Sequence, residues 1–159
     1  MKAYLDIETD RNGNICVIGI HTEPSGFVQW HGENINTDDI ERELQRASTI
    51  VTFNGDLFDL PTIKKYLNID LKEKCSSRDL FKVKKKLGIK GGLKDLEKMF
   101  GIKRKTEGIN GYKAVLLWER YMKRGRHSDL SLLLEYNKED VLNLIPLEEK
   151  LDELKGTMR

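Results

Sequence analysis

The chain opens on an alternation. In "AYLDIET" (3–9), Ala3, Leu5 and Ile7 fall on one side and Tyr4, Asp6 and Glu8 on the other, the period of a strand with one face in the core. "NICVIGIH" (14–21) is a β-branched run reached through "DRNGN" (10–14), whose Asn-Gly signals a hairpin, and "GFVQW" (26–30) follows the turn "EPSG". An antiparallel meander of three strands is therefore expected first. The period then changes. "TDDIERELQRA" (37–47) sets Ile40, Leu44 and Ala47 on one helical face, with Thr37 as the expected N-cap. "TIVTFN" (49–54) returns as a strand, and "DLFDLPTIKKYL" (56–67) reads as a helix with Leu60, Ile63 and Leu67 inward.

A short strand is expected around Cys75–Arg78. Helices follow over 80–87, 93–99, 113–124 and 128–145, with glycines between them and Pro146 ending or kinking the last. Leu130, Leu133, Leu134, Val141, Leu144 and Ile145 supply the buried stripe of that last helix. Three antiparallel strands, then strand–helix units, then a helical C-terminal third outline an α/β, ribonuclease H-like layout. Its mixed central sheet, with parallel strands after the first three, would be flanked by helices in one domain over 1–159.

Charged residues make up 34% of the chain and the mean hydropathy is −0.55. "MKAYLDIETD" has acids where a signal peptide needs an apolar run, and no apolar stretch approaches a transmembrane length. A cytoplasmic protein with no membrane partner is the expectation. Cys16 and Cys75 form no metal or redox spacing and read as free thiols; His21, His31 and His127 read as surface or loop residues. The net charge of +2 hides an asymmetry: residues 1–80 carry net −5 and residues 81–159 net +7. Segment 82–126 holds 15 basic residues against 4 acidic, in "KVKKK" (82–86), "KRK" (103–105) and "RYMKRGR" (120–126). Any one run is a solvated face; three together point to a polyanion.

Asp6 and Glu8 share one face of the first strand, where two acids repel each other and resist desolvation unless a cation joins them. An exposed strand end holding nothing is the plainer reading of that pair alone. "NGDLFD" (54–59) places Asp59 at a strand-to-helix junction, where an acid also serves as a cap; Asp56 competes for that task. Phe58 is expected to anchor the turn in the core, and Asn54 to tie the loop down or touch a ligand. In "YNKED" (136–140), Tyr136 and Asp140 lie one helical turn apart beside the leucine stripe, a spacing that also suits a simple boundary hydrogen bond.

Taken in order, D-x-E, N-x-x-x-F-D and Y-x-x-x-D resemble the three exonuclease motifs of the DEDD superfamily. The tyrosine marks the tyrosine subtype, as in proofreading domains of family B DNA polymerases. "TFNGDLFDLP" (52–61), "GGLKDLEKMFGIKR" (91–104), "WERY" (118–121) and "YNKEDVLNL" (136–144) extend the likeness to the stand-alone YprB-type exonuclease domain. The resemblance implies that Asp6, Glu8, Asp59 and Asp140 hold two divalent ions, Mg²⁺ or Mn²⁺. Asp6 would bridge the ions, Glu8 and Asp140 would complete the site of the attacking water, and Asp59 would support the second ion through water. Tyr136 would orient the water, since an ordinary phenol (pKa about 10) is a poor base near neutrality. It also implies 3′→5′ hydrolysis of a nucleic acid with a single-stranded 3′ end.

Asn54, Phe58, Tyr112, Lys113, Arg120, Lys123, Arg124 and Arg126 are the expected contacts to that strand; Trp118 is expected in the core. Two rivals stay open at this point: a hybrid- or structure-selective endonuclease on the same fold, and a non-catalytic binding module.

Overall fold

The computed structural model describes residues 1–157, so the last two residues of the expected domain lie outside the described residues. Strands β1 (Lys2–Thr9), β2 (Ile15–Thr22) and β3 (Gly26–His31) form the expected meander. Helix α1 (Thr37–Leu44), β4 (Thr49–Thr52), α2 (Asp59–Leu67), α3 (Leu71–Lys74) and β5 (Ser76–Asp79) follow. The remainder is helical: α4 (Leu80–Lys86), α5 (Leu93–Phe100), α6 (Gly111–Arg124), α7 (His127–Leu142) and α8 (Leu144–Thr157). The sheet order is β3-β2-β1-β4-β5, antiparallel between the first three neighbours and parallel from β1 to β4 to β5. This is a ribonuclease H-like α/β fold with β1 at its centre.

The alternation of β1 divides the molecule. Ala3, Leu5 and Ile7 enter one core with Ile40 and Leu44 of α1 and Leu60 and Ile63 of α2. The opposite face of the sheet is covered by the later helices. Cys16 and Val17 pack with α6 and α7, and Val51 packs with Leu80, Leu96, Leu144, Leu147 and Leu151. Asp6 and Glu8 therefore point into the second layer, among helices, with Glu8 buried and Asp6 half-buried.

Several boundaries differ from expectation, and three of the differences have a clear local cause. Asn36, not Thr37, caps α1, accepting from the Asp39 N–H at 2.8 Å. α2 begins at Asp59, because residues 55–58 are spent on a tight turn that starts from Asn54 in a left-handed conformation (φ 64°). The long C-terminal helix is two helices: α7 ends at Leu142, Asn143 intervenes, and Pro146 is the third residue of α8. A proline in a first turn lacks an N–H that has no intrahelical acceptor there, so it opens a helix as readily as it ends one.

Candidate metal centre

The site is built where α7 crosses β1. Close approach is needed, and Gly19 on β2, opposite Asp6, permits it: a Cβ there would lie 2.4 Å from Asn137 Oδ1. Asn137 is fully buried and donates from Nδ2 to the Asp6 carbonyl (3.1 Å) and to Asp6 Oδ2 (3.0 Å). Its own Oδ1 accepts from Gln29 Nε2 at 2.9 Å, so β3 steadies α7, which in turn steadies Asp6. The β1–β2 register slips between Glu8 and Thr9, leaving Cys16 as the extra residue of a bulge beside Glu8.

On this frame Asp6, Glu8 and Asp140 each offer a carboxylate oxygen, and the three oxygens lie within 4.8 Å of one another. Glu8 and Asp140 are buried, and Asp6 is half-buried. Burial raises the Asp6 and Glu8 carboxyls well above their ordinary range, and the neighbouring acids raise them further. Burial also lifts Asp140 to about 6, against the pull of Arg104. Three acids that cannot all ionise cheaply are the donor set a hard divalent cation satisfies, since Mg²⁺ and Mn²⁺ favour carboxylate oxygen. The residues fit the ion.

Asp59 is not part of that trio. It is buried at the first position of α2, its Oδ2 accepts from the Ile7 N–H at 3.1 Å, and burial lifts its pKa to about 7. Asp56 is no cap either: it pairs with Lys82 and Ser77, while Asp79 accepts from the Asn54 and Asp56 N–H groups and holds the loop. Tyr136 and Asp140 are both buried, so they lie within the stripe and not beside it. Tyr136 lines a cavity of about 310 Å³ together with Asp6, Asp140, Phe53 and Lys94. Burial and the nearby acids push its phenol above its ordinary pKa, which leaves it a neutral hydrogen-bonding group.

The RNase_H_2 family model, of the RNase H superfamily, matches residues 3–152. This chain belongs to the RNase H superfamily. The family B DNA polymerase from the hyperthermophilic archaeon Pyrobaculum calidifontis is similar in fold, with a TM-score of 0.74 at 17% identity. That match covers 94% of this chain and 24% of the polymerase, so the chain spans about a quarter of that protein's length. No curated protein sequence matches the chain. As an RNase H superfamily domain it has a nuclease-like fold whose superfamily implies a nucleic-acid substrate. Among the described residues no helix is long and apolar enough to cross a membrane.

The other expected contacts of this RNase H superfamily domain divide. Phe58 does not anchor a core: it is 45% exposed, and its neighbour Leu57 is 77% exposed, at the turn that leads into Asp59. Asn54 lies in the same turn. Tyr112, Lys113, Lys123, Arg124 and Arg126 are exposed on or just after α6, while Arg120 pairs with Asp129 at 3.4 Å. Trp118 is in the core as expected, against Tyr121.

Some of the basic runs turn inward. Lys84 is buried over the Phe81 ring, and Arg104 is buried between Glu97 and Asp140. Lys94, Arg104 and Asn137 escaped sequence reasoning as site residues. Only the adjacency of Asn137 to Tyr136, and the presence of Lys94 and Arg104 in one quoted motif, hinted at them. Lys94 Nζ lies 4.7 Å from the Tyr136 ring centroid and donates to its hydroxyl at 3.3 Å.

Proposed function

We propose that this domain is a metal-dependent 3′→5′ exonuclease of the tyrosine DEDD subtype, hydrolysing the terminal phosphodiester of single-stranded DNA or RNA to release nucleoside 5′-monophosphates. The observation that carries the reading is the convergence of Asp6, Glu8 and Asp140 on one point beside the Tyr136 phenol, with too little positive charge to balance them. Divalent cations, Mg²⁺ or Mn²⁺, would supply charge neutralisation of the phosphate and a water of lowered pKa.

The chain's own groups do the rest. Asp6, Glu8 and Asp140 would hold the cation, and Asp59, whose Oδ2 accepts from the Ile7 N–H, would support a second. Tyr136, kept neutral by burial, hydrogen-bonds the attacking water and aims it. Leu57 and Phe58, exposed in the turn that leads into Asp59, would give the terminal bases an apolar surface, with Asn54 in the same turn. Tyr112, Lys113, Arg120, Lys123, Arg124 and Arg126 track the strand beyond it.

The test is a 5′-labelled single strand, DNA and RNA in parallel, with Mg²⁺ or Mn²⁺. A ladder shortening from the 3′ end supports the reading, and internal cuts in a circular single strand would overturn it.

A further inference from the structure

A cation beside a metal-binding carboxylate ought to weaken the metal, yet Arg104 is built into this site. Its side chain is 4% exposed. Nε and Nη2 make two parallel bonds to Glu97, at 2.9 and 2.8 Å, and Nη2 also reaches Asp140 Oδ1 at 2.5 Å. The guanidinium carbon lies 5.5 Å from the Tyr136 ring centroid, so one side chain touches both polar members of the α7 motif.

Glu97 cancels the charge. It is 2% exposed, on α5, and its Oε2 also accepts from Asn143 Nδ2 at 2.7 Å. The loop carrying Arg104 is pinned as well, because Glu139 accepts from the Lys105 N–H (2.6 Å) and the Thr106 N–H (2.8 Å). Glu139 immediately precedes Asp140. The Glu97–Arg104 pair is thus neutral overall, planar, buried and fixed from both ends. Such a pair adds no net charge to the site, while its guanidinium end still pulls on the Asp140 oxygen it touches and fixes its direction.

We propose that Arg104 is a positioning residue of the metal centre: its fork, neutralised by Glu97, ties back one oxygen of Asp140 and presents the other to the cation. This rests on the metal-dependent reading above. It makes α5 and the 101–106 loop part of the site, although neither carries a ligand. Groups that orient a ligand from behind change metal affinity by about 10–100-fold when removed.

The test is calorimetric titration of Mn²⁺ into the nucleic-acid-free protein, with melting curves recorded alongside. Wild type is expected to bind. Arg104→Lys keeps the charge but loses the planar fork that bonds Glu97 twice while fixing Asp140, and should bind about tenfold or more weakly. The double variant Glu97→Gln/Arg104→Met removes both buried charges and should also bind more weakly. If Arg104 were only a nearby positive charge, losing it would tighten Mn²⁺ binding. Unchanged or tighter binding in a folded double variant overturns the proposal while leaving the metal site standing. A folded Arg104→Lys with wild-type affinity overturns it equally, and covers the case in which the double variant does not fold. A wild-type protein that binds no Mn²⁺ instead overturns the metal-dependent reading itself.

Discussion

Two buried acidic sites share the same face of β1, and they are treated in opposite ways. Around Tyr4, the carboxylate of Glu148 on α8 accepts from Lys2 Nζ at 3.0 Å and Tyr4 Oη at 2.6 Å. Arg78 Nε lies 2.7 Å from its other oxygen, off the line of the N–H. Burial works against that charge, but these partners outweigh it and hold Glu148 below the ordinary carboxyl range. Two residues further along the strand, Asp6, Glu8 and Asp140 are pushed above that range. Burial acts first and, for Asp6 and Glu8, the neighbouring acids add to it, while for Asp140 burial outweighs the pull of Arg104 and Lys94. Both sites set a tyrosine near a buried acid, but Tyr4 donates to its acid while the Tyr136 hydroxyl accepts from Lys94. One is balanced by its partners and holds the sheet to α8; the other is left short of positive charge, which is where we propose the cation binds. An uncompensated buried charge is therefore the better guide to function than burial or a Tyr–acid pair alone.

The sharpest way to break this contrast is to remove an acid from each site. Asp6→Ala or Asp140→Ala should abolish strand shortening, since each removes an oxygen from the trio. Glu148→Ala should leave the catalytic groups in place and lower stability by about 1–3 kcal/mol, because Lys2 and Arg78 can turn partly toward water. Gel assays for the first pair and urea unfolding for the second separate the outcomes. If Glu148→Ala lost activity with its fold intact, the division into a structural and a functional site would fail.

The two tyrosines extend the comparison. Tyr136→Phe should slow cleavage on the order of 100-fold, the scale of a misplaced reacting group, with Mn²⁺ affinity unchanged. Tyr4→Phe should leave the rate alone and cost only the hydrogen bond to Glu148, about 1–2 kcal/mol. Single-turnover kinetics with melting curves would check both; full activity in Tyr136→Phe would remove its aiming role.

The fold was largely legible because its signals are local. The alternation of β1, the Asn-Gly turn and the β-branched β2 each report their own conformation, and all three strands form as expected. The ends of elements were less legible. Pro146 reads as a stop from sequence and sits in the first turn of α8, because a proline is tolerated in both places. Among the site residues, Asp6, Glu8 and Asp140 were recognisable by spacing within β1 and within a motif. Gln29, Glu97 and Arg104 were not, because what they do depends on hydrogen bonds between residues 7 to 108 positions apart. Phe58 was misplaced for a related reason: an aromatic next to an acid looks like an anchor unless the turn that exposes it is known.

The opposite pKa shifts of the two sites give a pH test. Asp140 and Asp59 have folded values of about 6 and about 7, above the unfolded carboxyl value of about 3.9. Their protonated forms favour the fold, so that contribution is complete below about pH 4 and is lost as the pH rises through about 6 to 7. Glu148 has the reverse sign: its contribution is present above the ordinary glutamate value and is lost on acidification. In EDTA, Asp6→Asn should therefore raise the melting temperature at pH 8 and change it less at pH 5. Added Mn²⁺ should stabilise the wild type more at pH 8 than at pH 5, because protons and the cation compete for the same oxygens. A cation-induced shift independent of pH would break the link between the raised pKa values and the metal.

The smallest expected effect concerns the surface that leads to the site. Arg104 and Lys84 are consumed by the interior, so the 15 basic residues of segment 82–126 overstate the charge available to a strand. Lys113, Lys123, Arg124 and Arg126 remain exposed around α6, and none of them shares a salt bridge among the described residues. Neutralising Lys123, Arg124 and Arg126 together should weaken strand binding and flatten its dependence on salt by about 0.7 for each phosphate left without its cation, the single-strand value. Cleavage of a short oligonucleotide at saturating concentration should hardly change, because the charges act on the strand and not on the scissile phosphate. Fluorescence anisotropy across a salt series measures the slope. Near-wild-type affinity in the triple variant would move the strand's path off α6, toward the exposed Leu57–Phe58 edge, and leave the metal centre as the only polyanion-directed feature with a measured role.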